Sequence, residues 1–142
     1  MPETKKIKPI DQQQANPADD FITELRPGQI IVVGTNAVGA HIGGAARYAH
    51  EHFGLRWGVG EGLSGSTYAL PTMSGLADFA QAAMKFIMYA ELSPDLTFLL
   101  TKVGCGIAGY PEVLIKDLVL GAPANVIRPK DWPPFELEDD SE

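Results

Sequence analysis

TFLLTKVGCGIAGYPEVLIKDLVL, residues 97–120, runs from an apolar stretch through a glycine turn into an amphipathic stretch, and its reading sets the fold. Thr97 to Val103 has the compact apolar character of a buried strand. Pro111 to Leu120 reads as a helix, with Val113, Leu114 and Leu118 turned inward. Between them Gly104-Cys105-Gly106-Ile107-Ala108-Gly109 matches G-x-G-x-x-G, the pattern that opens a dinucleotide-binding unit when it follows a first strand. Here the turn arrives near the end of the chain. A dinucleotide fold needs further strand–helix units after it and an acidic residue about twenty positions on. Asp131 has that distance, but only an acidic tail follows it. A second match, Gly60 to Gly65, precedes a strand, which shows how readily a chain with 15 glycines produces the pattern. The dinucleotide reading is therefore rejected. Anion binding by the turn survives, because successive glycines leave backbone N–H groups accessible.

Outward from this stretch, strands and helices alternate. Asn16-Pro17 opens an expected short helix to Leu25 that buries Phe21, Ile22 and Leu25. Gln29 to Val33 is a buried β-branched strand leading into Gly34-Thr35-Asn36. A helix follows from His41 to Phe53, stopped by Gly54. Residues 54–65 are glycine-dense and lack a helical period, and Ser66 to Leu70 is a strand. Ser74 is placed to cap a helix whose stripe is Leu76, Phe79, Ala80, Ala83, Phe86, Ile87 and Ala90. Asn125 to Arg128 forms a short last strand. The expected class is α/β, a single three-layer domain with a mixed, largely parallel sheet between helices. Residues 1–15 read as a flexible arm, 16–128 as the domain and 129–142 as a disordered acidic tail.

Composition narrows the function classes. With 142 residues and 45% hydrophobic content the chain can bury one core. Of the net charge of −7, residues 130–142 carry −5, while residues 1–28 and 29–129 each carry −1. No basic patch points to nucleic acid, and no apolar run is long enough for a membrane span. Cys105 is the single cysteine, and the N-terminus lacks a secretory apolar region, which fits a reducing cytoplasm. Two loops follow strands and precede helices, 34–46 and 104–110. Ligands of parallel sheets bind at such places.

Three segments in order resemble the macro-domain superfamily: IIVVGTNAVGAHIGGAARYA, STYALPT and KVGCGIAGYPEVLIKDLV. The chain is more similar still to a group of small bacterial and phage proteins with the order Gly-Ser-Asn, His-x-x-Gly-Ala-Ala, Ser-Tyr-Ala-Ile-Pro-Thr and Ile-Gly-Cys-Gly-x-Ala-Gly-Tyr. The resemblance covers roughly residues 29–120. It implies a macro-like fold that binds ADP-ribose or a related nucleotide diphosphate, a nucleotide-type small molecule, without a cofactor. Gly34, Thr35, Asn36, Gly43 and Gly44 would line the ribose loop. Gly104, Cys105, Gly106, Ile107, Ala108 and Gly109 would wrap the diphosphate, and Tyr110 would cover the distal ribose. If the chain is an enzyme, the resemblance implies hydrolysis at that ribose, with Asn36 placing the ribose or a water; His41 is a second catalytic candidate by its own chemistry, as a phosphate ligand or as an acid or base. The aspartate that holds adenine in macro domains has no counterpart, since Asp19 and Asp20 lie in the wrong setting.

Simpler roles stand beside these. Asn36 also suits a turn after a strand, and His41 a solvated helix start. Cys105 reads better as a small filler between glycines than as a nucleophile, and Glu61 as a solvated loop carboxylate. His50 and His52 are two apart and face different ways on a helix, so no metal site is expected. Met84, Met88 and Tyr89 lie off the core stripe and are candidates for a homo-oligomer contact. Trp132 and Phe135 read as a solubilising tail or a peptide that docks a protein partner. Two rival functions remain: a non-catalytic protein that sequesters a nucleotide signal, and a structural interaction protein whose glycines pack backbone on backbone.

Overall fold

The computed structural model describes residues 22–103, 109–129 and 132. Among the described residues, five strands form one sheet: β1 (Gln29–Thr35), β2 (Gly62–Ser64), β3 (Thr67–Pro71), β4 (Thr97–Leu100) and β5 (Val126–Ile127). Their order is β2-β3-β1-β4-β5. β1 pairs in parallel with β3 and β4, β4 pairs in parallel with β5, and β2 runs antiparallel to β3. The helices are α1 (Gly44–His52), α2 (Leu76–Glu91) and α3 (Glu112–Leu118). The molecule is the α/β domain expected from the sequence.

The strands show why the chain forms three layers. Side chains alternate across a strand, and here both faces are apolar. Ile30, Val32, Tyr68, Leu70, Phe98, Leu100 and Val126 face one way, joining Phe79, Ala82, Phe86 and Ala90 of α2 and Ile115 of α3 in the main core. Ile31, Val33 and Ala69 face the other way and pack with Ala46 and Ala49 of α1. That is why QIIVV reads as a continuous apolar run rather than an alternating one. Beyond α1, the outer pair Leu99 and Ile127 is covered by Ile22 and Leu25. Both side chains turn inward as expected. However, residues 22–26 are not helical, so the C-terminal half of the helix expected over 17–25 is not formed.

Other element boundaries also shift. β2 lies inside the glycine-dense stretch, where a hairpin with Gly65-Ser66 as its loop registers Ser64 opposite Thr67. Gly65 has φ 60°, which a two-residue hairpin loop needs and glycine supplies without strain. The helix expected from His41 begins at Gly44. Ser74 does not cap α2: Gly75 holds that position at φ 100° with no side-chain cap. Leu76 is exposed, and Ala82 takes its place in the buried stripe. Tyr89 is not an outer residue. Its ring lies 5.5 Å from that of Tyr68 and 6.1 Å from that of Phe98, so it belongs to the core side. Met84 and Met88 are exposed. In α3 Ile115 is buried and Leu118 packs against the same core as expected, while Val113 is 67% exposed.

Asn125 ties α2 to the end of the sheet. Its Nδ2 donates to the carbonyls of Ala90, Ser93 and Leu96 at 3.0, 3.1 and 3.0 Å. These include carbonyl groups that the end of a helix leaves without partners. Trp132 corrects the reading of the tail. It is 1% exposed and belongs to the main core, so this residue is neither a solvated spacer nor free to dock a partner. Phe135 and residues 1–21 lie outside the described residues. Among the described residues, no helix is long and apolar enough to cross a membrane.

Candidate functional site

The parallel strands β1, β3 and β4 end on the same side of the sheet, and a cavity of about 400 Å³ opens there. Its wall is assembled from four places. Gly34, Thr35 and Asn36 come from the end of β1, and Thr72 and Met73 from the end of β3. Thr101, Lys102 and Val103 follow β4, and Ala40 with Ile42 to Ala46 leads into α1. The volume falls in the range of small-molecule pockets, roughly 300–1,000 Å³.

Local chemistry fixes this wall. The Thr35 hydroxyl donates to the Gly60 carbonyl at 2.6 Å, and the Thr101 hydroxyl to the Val32 carbonyl at 2.7 Å. The Thr72 N–H donates to the Thr35 carbonyl at 2.9 Å, extending the β1–β3 ladder past its last strand residue. Asn36 closes the turn after β1. Its Nδ2 donates to the Ala40 carbonyl and its Oδ1 accepts from the Ala40 N–H, each at 2.9 Å. The turn reading of Asn36 is thus realised while the residue also lines the cavity. Each end of the amide retains capacity for one more hydrogen bond.

The start of α1 gives the cavity its polarity. The first N–H groups of a helix have no acceptor within it. Here Gly43 occupies the cap position with no side-chain cap, and the first turn holds no acidic residue. Gly43, Gly44, Ala45 and Ala46 all line the cavity. A Cβ built on Gly43 or Gly44 meets nothing within 4 Å, so neither glycine is required by packing against a neighbour. The N-terminal end of a helix carries partial positive charge that favours an anion. Lys102 lines the same cavity, and its Nζ lies 3.2 Å from Oε2 of Glu112 at the start of α3.

The structure separates the sequence candidates. It brings Gly34, Thr35, Asn36, Gly43 and Gly44 to one cavity. His41 is not on the wall and is not at a helix start. It is 2% exposed, with Nε2 3.0 Å from the Arg56 carbonyl, and its ring lies 5.8 Å from that of Trp57. The chain turns His41 inward as it approaches α1, and its Nδ1 is buried without a hydrogen-bond partner among the described residues. Tyr110 does not cover the cavity either. Its ring stacks on Phe79 of α2 with centroids 5.5 Å apart, which places its apolar area against the core. Gly109 is exposed at φ 77° and is not part of the wall. Gly104, Cys105, Gly106, Ile107 and Ala108 lie outside the described residues. Among the described residues, no group of three or more His, Cys, Asp or Glu side chains is placed to hold a metal ion.

Ile42 lies in the loop 34–46 marked for ligand binding, whereas sequence reasoning missed Thr72, Met73, Thr101 and Lys102 as wall residues. The signal was present: the stretch after Leu70 follows a strand parallel to β1, so its loop opens on the same edge as the other two. No protein-family model, curated protein or solved structure matches the chain.

Proposed function

We propose that this cavity binds the phosphates of ADP-ribose or a related nucleotide diphosphate, and that the chain acts in the cytoplasm as a binder of such molecules. One observation carries the reading: the uncapped start of α1 and the cation of Lys102 line the same cavity at the ends of parallel strands. Backbone N–H groups and an ammonium are donors suited to phosphate oxygens. The macro-domain resemblance supplies the nucleotide. Binding rather than turnover is proposed, because His41, the acid–base candidate, is buried away from the wall.

The rival in which glycines only pack backbone on backbone fits a different set of them. A Cβ on Gly39 would lie 2.3 Å from Gly58 C, and one on Gly65 2.7 Å from Gly54 Cα. Gly43 has open space instead, and its φ of −161° is extended backbone that any residue adopts. Gly43→Asp separates the two readings. Aspartate is a good cap residue and its carboxylate satisfies first-turn N–H groups, so stability should hold or rise by a few tenths of a kcal/mol. The same carboxylate occupies the proposed phosphate position, so affinity for ADP-ribose should fall by at least about tenfold. Calorimetry with ADP-ribose, ADP, NAD and pyrophosphate reads the second effect, and thermal unfolding reads the first. No heat from any of these ligands with the wild-type chain overturns the proposal.

A further inference from the structure

Lys102 and Glu112 form an ion pair that bears on how the proposed phosphate site is regulated; the inference rests on that reading. Lys102 lies on the cavity wall, and Glu112 is the first residue of α3. Nζ and Oε2 are 3.2 Å apart, with the side chains 27% and 38% exposed. A pair this open to water is weak and exchanges readily. The carboxylate also has a second reason to stay where it is, since an acidic residue in a first turn is favoured by the helix dipole. Glu112 therefore loses only part of its stabilisation when Lys102 turns to another anion. The lysine ammonium has three donors on a flexible stem and can change partners without moving the backbone. A carboxylate this close to the cation also lowers the positive potential an incoming phosphate meets.

We infer that Glu112 is a built-in counterion of the cavity: it holds the Lys102 ammonium until a phosphate takes its place, and so sets the affinity below what α1 and Lys102 alone would give. The test is calorimetry of the full chain with inorganic pyrophosphate and with ADP-ribose. Glu112→Gln should bind pyrophosphate about three- to tenfold more tightly than the wild type, and the difference should shrink in 1 M salt, where the Debye length is about 3 Å. Glu112→Asp, which keeps the charge, should stay within about twofold of the wild type. Lys102→Gln should weaken binding by about tenfold, and adding Glu112→Gln to it should recover no more than about twofold. Circular dichroism confirms that each variant is folded. Unchanged binding in Glu112→Gln overturns the inference by showing that the carboxylate does not compete. Weaker binding overturns it in favour of a role in positioning Lys102. If the wild-type chain binds neither ligand, the phosphate-site reading falls and the counterion falls with it, an outcome distinct from a bound ligand that ignores Glu112.

Discussion

Tyr68 sits among aromatic rings, with centroids 5.0 Å from Phe86 and 6.4 Å from Phe98. Burial, and then the negative charge of Glu61 and the neighbouring Tyr89, push its phenol up from 10.0 to about 12. The sign of the consequence follows from proton counting. Between pH 10 and 12 the unfolded chain releases this proton and the folded chain retains it, so stability falls as pH rises through that window. The contribution is fully present below the unfolded value, and a shift of this size corresponds to about 2–3 kcal/mol at most. Urea titrations at pH 9 and pH 11.5 measure it, and Tyr68→Phe should flatten the difference between them. An equal loss in the variant would assign the alkaline sensitivity to other groups. At this same scale, sequence reading reached the right neighbourhood more easily than the right posture. Asn36 was legible because a strand end followed by Gly-rich turns constrains an asparagine locally. The burial of His41 was not, because it depends on the Arg56 carbonyl and the Trp57 ring, 15 and 16 residues away along the chain.

Loops are built here by glycines that let two backbones touch. The turn after β1 and the stretch before β2 meet at Gly39 and Gly60: the Gly58 N–H donates to the Gly39 carbonyl at 2.8 Å. A Cβ on Gly60 would lie 2.3 Å from the Ala37 carbonyl oxygen and 2.6 Å from that of Asn36. Neither atom belongs to a side chain that can rotate away. Gly60→Ala should therefore force the two segments apart and weaken the Thr35 hydroxyl bond to the Gly60 carbonyl. The expected cost is about 2–3 kcal/mol, in the range of overpacked sites. The displaced wall should also weaken nucleotide binding, unlike Gly43→Asp, which should weaken binding with no loss of stability. Chemical denaturation of both variants side by side checks the contrast; equal stability of Gly60→Ala and wild type would remove the contact from the account. Element by element, the long periodic helix α2 and the apolar strands β1 and β4 were legible because each repeats one pattern over a turn or more. β2 was not, since three residues beginning with glycine carry no period. In α3 the inward turn of Leu118 was legible, but Ile115 was missed, because over seven residues the choice between Val113 and Ile115 is made by the neighbouring core, not by the helix itself.

For the molecule as a whole, one face of the sheet is covered by α2 and α3, and the other by α1 and the segment holding Ile22 and Leu25. The C-terminal region contributes to the first of these faces through Trp132. Composition hid this, because an indole among prolines and acids reads as tail by its surroundings, and the space it fills is created by residues far away in sequence. The Trp132 N–H donates to the Pro129 carbonyl at 2.9 Å, which turns the chain back after β5. Its ring is among the largest side chains with no exposed surface to speak of. Trp132→Ala should cost about 3–5 kcal/mol, as for other large-to-small core substitutions. Trp132→Phe should cost much less, since it keeps most of the apolar volume and removes an indole N–H that is buried without a partner among the described residues. Fluorescence offers an independent reading. The other tryptophan, Trp57, is 56% exposed, so Trp57→Phe leaves Trp132 as the only indole. That variant should emit at short wavelength when folded and shift to long wavelength in one step with global unfolding. A Trp132 that emits at long wavelength in the native protein, together with a Trp132→Ala variant as stable as the wild type, would return this residue to the acidic tail and leave the main core to end at β5.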